Sequence, residues 1–201
     1  MKMFDPQTGI PSIIPSDATK VFSGVVFDVY QWQQKLFDGS FGTFEIIKRR
    51  NTCVVLAIME DKKIILIEDE NPFKKIRFVA LPEGRAEPDE TPIETAKREL
   101  EEETGFISEN FLPWFVFPST QTKLEWNQYF FVAKNCVLGG NGQKQDAGEN
   151  IKLKFVSFDE FIEMVKNGTI RDTEILETFA EKNLDLTEEK IEEMRRMVFN
   201  Q

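Results

Sequence analysis

Residues 81–106 read LPEGRAEPDETPIETAKRELEEETGF, and the chain is organised around this stretch. Its first half contains Pro82, Gly84 and Pro88 among charged residues. Proline and glycine at such short spacing interrupt helices and strands, so the pattern predicts a loop. The second half carries apolar and charged residues in a helical period, and we expect a helix there.

Capping residues mark both ends of this helix. Thr91 is a good N-cap, Pro92 suits the first helical position, and Glu94 completes a capping box with the threonine. Gly105 is typical of the position just beyond a helix end. The sequence therefore predicts a helix from about Pro92 to Thr104.

Three glutamates crowd one face of the predicted helix. Glu99, Glu102 and Glu103 are spaced i, i+3 and i+4, so their like charges repel one another. A cation is expected to offset this repulsion, and carboxylate oxygens without Cys or His favour Mg²⁺ or Mn²⁺. Arg98 and the loop residue Glu90 are expected to pair and so attach the loop to the helix.

This stretch resembles the Nudix box, whose pattern is G-x5-E-x7-R-E-U-x-E-E-x-G-U with U a bulky apolar residue. A solvated acidic helix is the alternative interpretation. It explains Glu101 but does not explain the fixed offsets of the glycines, Glu90 and Arg98. Every defined position is matched, by Gly84, Glu90, Arg98, Glu99, Leu100, Glu102, Glu103, Gly105 and Phe106.

Apolar runs on both sides of the box predict strands, and helical periods follow toward the C-terminus. Strands mixed with helices indicate an α+β fold. The resemblance implies the Nudix fold, a mixed β-sheet sandwiched between helices (α/β/α), for about residues 50–183. The predicted strands are 52–59, 63–69, 77–81, 114–119, 127–134 and 151–158, and the predicted later helices begin near 157–159, 171 and 187.

The segment before the box contains a turn signal, Asp38-Gly39, between two strand-like runs. This arrangement predicts a β-hairpin of residues 21–37 and 41–49. The hairpin resembles the N-terminal lobe of the ADP-ribose and nucleotide-sugar pyrophosphatase branch, and this resemblance implies a homodimer. The predicted division is an extended, proline-containing tail of residues 1–20, a lobe of residues 21–50, and a Nudix domain with C-terminal helices of residues 51–201.

The composition limits the possible functions. The 201 residues include 25 Lys and Arg against 35 Asp and Glu, a net charge of −10 that argues against binding long nucleic acid. The chain has no His, which removes histidine bases and histidine metal ligands. Cys53 lies in an apolar run and is expected to be a buried thiol. No stretch would span a membrane and no signal peptide is evident, so we expect a cytoplasmic protein.

The resemblance implies hydrolysis of a nucleoside diphosphate linked to another group, giving a nucleoside monophosphate and, for a nucleotide sugar or ADP-ribose, a sugar phosphate. Divalent cations would neutralise the diphosphate and lower the pKa of the attacking water. Glu99 and Glu103, one helical turn apart, are the principal candidates for metal ligands. Glu102 is either a third ligand or an orienting base. The carbonyl of Glu83 is a further candidate ligand, and Gly84 would allow its close approach.

The general base is harder to assign, because without His the candidates are carboxylates. In the ADP-ribose branch this base is a Glu on a late loop just before a strand, and Glu149 occupies that position. Glu125, between two predicted strands, is the rival. Flexible loops often carry catalytic groups that close over a substrate, which favours Glu149. A solvated loop carboxylate is the alternative interpretation of either residue.

The residues that would bind the substrate are also candidates only. Arg49, Arg50 and Arg77 belong to basic clusters that could meet its phosphates, although such clusters are often solvated faces. Trp32 is a candidate for stacking on a base or sugar, with simple packing as the alternative. The expected partner is a small nucleoside-diphosphate substrate rather than a membrane or a long nucleic acid.

Three features depart from the usual ADP-ribose enzymes. Residues 118–121 read PSTQ without a second proline, residues 68–70 are acidic where basic residues are usual, and Ala80 stands where many have Glu. A nucleoside triphosphate or a capped RNA end is therefore an alternative substrate. A non-enzymatic nucleotide-binding module is a third interpretation, against which the intact box argues.

Overall fold

The structure is a computed structural model that describes residues 5–71, 76–118, 123–145, 148, 150–172, 174–179 and 186–199. The strands are β1 (Thr19–Ser23), β2 (Phe27–Lys35), β3 (Phe41–Arg49), β4 (Thr52–Met59), β5 (Ile64–Asn71), β6 (Ile76–Ala80), β7 (Glu83–Arg85), β8 (Phe106–Ile107), β9 (Asn110–Pro118), β10 (Leu124–Glu125), β11 (Asn127–Leu138) and β12 (Lys152–Val156). The helices are α1 (Pro92–Thr104), α2 (Phe158–Lys166), α3 (Glu174–Phe179) and α4 (Glu188–Phe199).

The central sheet is built around β4, which the sequence predicts as a buried strand. Its residues from Thr52 to Ile58 are all buried. Strand β11 lies parallel to β4 on one side, and β5 lies antiparallel on the other, with β12 beyond it. Strand β9 pairs with β11, β6 with β5, and β7 with β4. An apolar run without alternation is expected in a strand whose two faces are both covered.

Helices cover both faces of this sheet. Val54 of β4 belongs to a cluster that includes Phe161 of α2 and Met194 of α4. Its neighbour Cys53 points to the other face, into a cluster that includes Leu100 of α1. Successive residues of a strand face opposite sides, so one apolar run serves both cores. The predicted α/β/α arrangement is confirmed.

Helix α1 has the bounds that its caps predict. The Thr91 hydroxyl accepts a hydrogen bond from the Glu94 amide at 3.3 Å, and the Glu94 carboxylate accepts one from the Thr91 amide at 2.9 Å. Gly105 adopts a left-handed conformation with φ of 74°, and its amide donates to the Glu101 carbonyl. Glycine adopts this conformation without steric cost, so the helix ends there.

The loop before α1 contains one strand that the sequence does not predict. Glu83, Gly84 and Arg85 form β7, which pairs antiparallel with the first residues of β4. The prediction of a loop is wrong for these three residues. Pro82 and Gly84 disfavour a strand locally, but pairing with β4 outweighs this effect. The pairing satisfies backbone hydrogen-bonding groups of β4 that would otherwise lack partners.

The N-terminal lobe is a sheet in the order β1-β2-β3-β10. The β2–β3 hairpin turns at the predicted place, with Gly39 at φ of 88°. The predicted single strand over residues 21–37 is wrong, because the chain reverses after β1 and returns as β2. The Gly24 amide donates to the Phe27 carbonyl at 2.9 Å in this reversal. A Cβ atom at Gly24 would lie 2.9 Å from the Phe22 ring, so the turn has little room for a side chain.

The described part of the predicted tail packs on the central domain. The Ile93 amide at the start of α1 donates to the Pro6 carbonyl at 3.1 Å. The Ile10 amide donates to the Tyr129 hydroxyl at 2.8 Å. Residues 5–13 therefore lie against α1 and β11 rather than projecting from the fold, and β1 already begins at Thr19.

Helices α2 and α4 also begin at capping residues. Ser157 and Glu160 form a capping box at the start of α2. The Thr187 hydroxyl accepts a hydrogen bond from the Lys190 amide at 3.4 Å and so caps the start of α4. In the described part of the chain, no helix combines the length and the apolar character needed to cross a membrane.

Candidate active site

A cleft of about 290 Å³ lies where α1 meets β7 and the ends of β5 and β6. Its lining combines the carboxylates of the box with basic side chains from the box itself and from three other parts of the chain. The lining residues are Arg49, Thr52, Ile67, Asp69, Phe78, Glu83, Gly84, Arg85, Glu87, Arg98, Glu99, Glu102, Glu103, Lys144 and Arg171.

The glutamates of α1 converge on a cation. Arg98 Nη1 lies 2.7 Å from Glu99 Oε1 and 2.9 Å from Glu102 Oε2. The two carboxylates are close enough to share one positive charge, which offsets the like-charge repulsion inferred from their spacing. The point between them therefore favours a cation.

The same guanidinium attaches the box loop to the helix. Arg98 Nε and Nη2 donate to the two oxygens of Glu90 at 2.7 and 2.8 Å. Nη2 also donates to the Arg85 carbonyl at 2.9 Å. These charge-assisted hydrogen bonds from Arg98 hold the pKa of Glu90 at about 2, well below its usual range. The structure thus contains the predicted Arg98–Glu90 pair.

Glu103 is positioned by the backbone of β7. This residue is only 7% exposed, and its Oε2 accepts a hydrogen bond from the Glu83 amide at 2.8 Å. A Cβ atom built on Gly84 would lie 1.8 Å from the carboxyl carbon of Glu99. The glycine is therefore required for β7 to pass this close to the helix, which brings the Glu83 backbone and two carboxylates into one cleft.

Four basic residues, Arg49, Arg85, Lys144 and Arg171, line the same cleft. Burial, followed by the charges of Arg85 and Arg171, lowers the pKa of Arg49. Arg85 and Arg171 are therefore each close enough to Arg49 to repel its charge. The Arg49 guanidinium lies 4.4 Å from the centre of the Trp126 ring, and its buried Nε has no hydrogen-bond partner among the residues that the structure describes. This grouping of positive charge is suited to an anionic ligand.

Arg171 reaches the cleft from the segment between α2 and α3. Its amide donates to the Val79 carbonyl of β6 at 2.9 Å. Next to it, the buried Asp172 carboxylate accepts a hydrogen bond from the Leu81 amide at 2.7 Å. The segment therefore lies beside β6, with which Ile170 forms a short parallel bridge, and Asp172 fixes it to Leu81 at the start of the box loop.

The loop after β11 brings Lys144 to the cleft by capping the end of α1. The Lys144 amide donates to the Glu102 carbonyl at 2.8 Å, and the Gln143 side chain donates to the Glu103 carbonyl at 2.5 Å. The Gly139 amide donates to the Gly105 carbonyl. These bonds satisfy carbonyl groups that an isolated helix end leaves open.

Sequence reasoning identified the residues of the box and Arg49, but it missed Arg85, Lys144, Asp69 and Arg171. Arg85 lies inside the quoted box loop, so its proximity to the glutamates was an available signal. Asp69 and Arg171 come from distant segments and are brought together by the pairing of β5, β6 and the segment after α2. Lys144 comes from the loop that caps the end of α1.

Glu125 lies in the N-terminal lobe and is not part of the cleft lining. Its carboxylate accepts hydrogen bonds from the Ser12 hydroxyl and the Ile13 amide, and it pairs with Lys48 at 2.8 Å. Burial alone would raise the pKa of Glu125, but these partners outweigh it and the pKa is lowered. The carboxylate thus attaches the N-terminal segment to the lobe.

Other predicted residues also lie outside the lining. Arg50 pairs with Glu87 at 3.1 Å, and Arg77 pairs with Glu70 at 2.9 Å. Trp32 lies in β2 against Phe44, with 5.9 Å between the ring centres. Glu149 lies outside the described residues.

The cleft contains oxygen donors of the type that binds a hard divalent cation. Glu83, Glu99, Glu102 and Glu103 all line it, and their oxygens are the ligand type of Mg²⁺ and Mn²⁺. Arg98 already occupies the point shared by two of them. Within the described ranges, no three acidic or cysteine side chains are arranged as a complete metal site.

Comparisons with known proteins show which sequences and which solved fold this chain is similar to. The NUDIX domain family matches residues 48–179. An ADP-ribose pyrophosphatase of Bacillus subtilis (strain 168) is 27% identical over 153 residues, which cover 76% of this chain and 83% of that protein. A methanol dehydrogenase activator of Bacillus methanolicus is 30% identical over 156 residues, covering 77% and 83%. The solved structure of an ADP compounds hydrolase has a TM-score of 0.62 at 16% identity, over 98% of this chain and 96% of that one.

Proposed function

This chain belongs to the NUDIX domain family and is a pyrophosphohydrolase, and we propose that it hydrolyses the diphosphate of ADP-ribose or of a nucleoside-diphosphate sugar. The products would be a nucleoside monophosphate and a sugar phosphate. The observation that carries the proposal is the pairing, in one cleft, of the Arg98-bound carboxylates with Arg49, Arg85 and Arg171.

The two charge types in the cleft suit different parts of this reaction. A diphosphate is anionic, so guanidinium groups would bind its oxygens and orient it. A water molecule attacks one phosphorus, and the bond from that phosphorus to the bridging oxygen breaks. The bridging oxygen leaves with the other phosphate, and the water loses a proton to a base.

Nudix hydrolases generally use divalent metal ions, and we propose Mg²⁺ or Mn²⁺ here. Glu99 and Glu103 would hold the ion, with Glu102 and the carbonyl of Glu83 as further oxygen ligands. When bound, such an ion neutralises phosphate charge and lowers the pKa of water. Arg98 would then keep Glu99 and Glu102 in place while Gly84 keeps the backbone close to them.

The base that accepts the proton is proposed to be Glu149, on the loop that also carries Lys144. Support for this choice is that the start of the loop is fixed to the end of α1 by Lys144 and Gln143, and that Lys144 lines the cleft. Glu125 is the less suitable candidate, because both of its oxygens already accept hydrogen bonds from the N-terminal segment.

We also propose that the protein is a homodimer formed through the N-terminal lobe. This lobe exposes an unusual number of large apolar side chains, with Phe22 58% and Phe41 66% exposed. Apolar patches of this kind are typical of interaction surfaces. The exposed large apolar residues of the lobe are Val21, Phe22, Val25, Val26, Phe27, Leu36, Phe37, Phe41, Phe44 and Ile47.

A hydrolysis panel with product identification tests the proposed reaction. It would contain ADP-ribose, UDP-, GDP- and ADP-sugars, NADH, dinucleoside polyphosphates and nucleoside triphosphates, each with Mg²⁺ or Mn²⁺. Glu103→Gln should lose at least about 100-fold in kcat/KM. Glu101→Gln is the matched control, because Glu101 is on the same helix but outside the cleft lining.

The products distinguish the alternatives. Two monophosphates from a diphosphate-linked compound support the proposal, whereas pyrophosphate released from a nucleoside triphosphate would replace it with the alternative substrate. Hydrolysis unchanged by Glu103→Gln would show that the site is wrong. Binding without turnover of any compound would favour a non-catalytic role.

A further inference from the structure

We propose that Arg171 is a specificity-determining residue that binds the anionic oxygens of the substrate's diphosphate, and that Glu83 holds its guanidinium in the cleft before the substrate arrives. This inference rests on the proposed function. The Arg171 guanidinium, which comes from the segment after α2, would contact the diphosphate directly. Most of the other residues proposed to act in the cleft belong to the box.

The Arg171 guanidinium lies in the cleft beside the box. Arg171 lines the cleft together with the box glutamates, and it forms an ion pair with the Glu83 carboxylate. Its guanidinium carbon lies 4.2 Å from the centre of the Phe78 ring. A guanidinium stacked on an aromatic ring is orientated by it, and its donors remain directed around the edge of the plane.

The backbone of Arg171 is fixed on both sides by hydrogen bonds. Its own amide donates to the Val79 carbonyl, and Ile170 forms a parallel bridge with Val79. Asp172, 3% exposed, accepts from the Leu81 amide. A long side chain on so well fixed a backbone loses less freedom on binding than one on a loose loop, which favours ligand recognition.

Arg171 differs from the other arginines near the cleft in the partners that its guanidinium has. Arg98 donates from all three of its nitrogens to protein acceptors, so its hydrogen-bonding capacity is largely used. Arg50 and Arg77 are not themselves part of the lining, and each is paired with a glutamate. The partner of Arg50, Glu87, does line the cleft, whereas the partner of Arg77 does not. Arg171 has its ion-pair partner inside the cleft, 44% of its side chain is exposed, and it lies near enough to Arg49 to lower the pKa of that group.

When a diphosphate binds, the Arg171 guanidinium would exchange Glu83 for phosphate oxygens as its partner. Glu83 and a phosphate oxygen both present negative charge to the same guanidinium, and they would compete for its donors. A diphosphate offers several oxygens in the cleft and can accept two parallel hydrogen bonds from the planar group. Removing the charge of Glu83 should therefore strengthen binding of a diphosphate only when Arg171 is present.

The test uses the full chain and a non-hydrolysable diphosphate, α,β-methylene-ADP, with Mg²⁺. Its dissociation constant is measured by calorimetry, and KM and kcat are measured with the substrate that the hydrolysis panel identifies. Arg171→Ala should weaken binding and raise KM by about 10- to 100-fold, with a smaller change in kcat. Arg171→Lys should recover part of the loss, because the charge returns without the planar fork.

Arg77→Ala is the matched control. Arg77 lies on β6 beside Phe78 and forms a comparable ion pair with Glu70, but it is outside the lining. Its replacement should change binding by less than about twofold. A double-mutant cycle of Glu83→Gln with Arg171→Ala should show coupling, because Glu83→Gln strengthens binding in the wild-type background only.

The results separate this inference from the proposed function. If the wild type hydrolyses a diphosphate-linked substrate but Arg171→Ala binds the probe as tightly as the wild type, the role of Arg171 is overturned while the function stands. If the wild type hydrolyses none of the panel and does not bind the probe, the proposed function itself is overturned. Thermal unfolding of Arg171→Gln, which keeps the side-chain stem on Phe78, separates lost binding from lost folding.

Discussion

The Arg98 guanidinium holds the Glu90 carboxylate in a two-point pair, with 2.7 Å from Nε to Oε1 and 2.8 Å from Nη2 to Oε2. The remaining Nη1 bridges Glu99 and Glu102. One side chain thus attaches the box loop to α1 and neutralises the carboxylates beside it. Its planar geometry matters as much as its charge, because a point charge cannot direct donors at four separate groups.

Arg98→Lys should therefore lower both stability and activity. Loss of the two-point pair should reduce the free energy of unfolding by about 2 kcal/mol, and the freed glutamates should repel one another. Urea unfolding and kcat/KM measure the two effects. The control is Arg196→Lys on α4, where Arg196 is 63% exposed and its replacement should change neither quantity. Equal stability of the two variants would contradict the role given to the fork.

The low pKa of Glu90 predicts a loss of stability in acid. Its folded-state pKa of about 2 lies below the ordinary value of 4.5, so the unfolded chain binds this proton more readily. The stabilisation is complete above pH 4.5 and declines as the pH falls toward 2, by up to about 3 kcal/mol. Urea unfolding from pH 3 to 7 should show a shallower acid decline for Glu90→Gln than for the wild type. Parallel pH curves would contradict this assignment.

Asp172 should have the opposite pH dependence. Burial raises its pKa from 3.8 to about 6, so the folded protein holds this proton more tightly than the unfolded chain. Its contribution to stability is complete below pH 3.8 and is lost as the pH rises through 6. Asp172→Asn retains an oxygen that can accept from the Leu81 amide but does not titrate. The stability of the wild type relative to this variant should fall between pH 4 and 6.5, and a constant difference would contradict the prediction.

The proposed dimer predicts that a charge in the N-terminal lobe dissociates it. Phe41→Asp places a carboxylate where the side chain is 66% exposed in one chain and would be buried in the dimer. Light scattering should give twice the chain mass of 23.3 kDa for the wild type and the single mass for the variant. Leu138→Asp is the control, since Leu138 is 72% exposed at the end of β11. A wild-type protein of single mass would overturn the proposal.

The parts of the site that sequence predicts well are local. The caps of α1, its acidic face and the Arg98–Glu90 pair depend on residues at most eight positions apart, and helical geometry fixes their spacing. The buried strand β4 is also evident, because its apolar run has one simple explanation in a sheet covered on both faces. For these features, the local sequence pattern is enough to determine the structure.

The parts that sequence misses depend on long-range pairing. Nothing near Arg171 indicates that it lies beside Phe78, because their proximity follows from the bridge between Ile170 and Val79. The strand β7 is missed for a related reason, since pairing with β4 outweighs the local effect of Pro82 and Gly84. Tertiary context decides such cases, and single-sequence patterns do not contain it.

Gly84 tests whether close approach of β7 to the helix is needed for catalysis. Gly84→Ala places a methyl group where the Glu99 carboxylate lies, 1.8 Å from its carboxyl carbon, so that side chain must turn away. Because the clash is with the far end of a flexible side chain rather than with backbone, the fold should persist while kcat/KM falls by at least about 100-fold. Gly140→Ala is the matched control, since a Cβ there meets no atom within 4 Å. If both variants kept wild-type kcat/KM with unchanged melting temperatures, Glu99 would not be a metal ligand and the site would have to rest on Glu102 and Glu103.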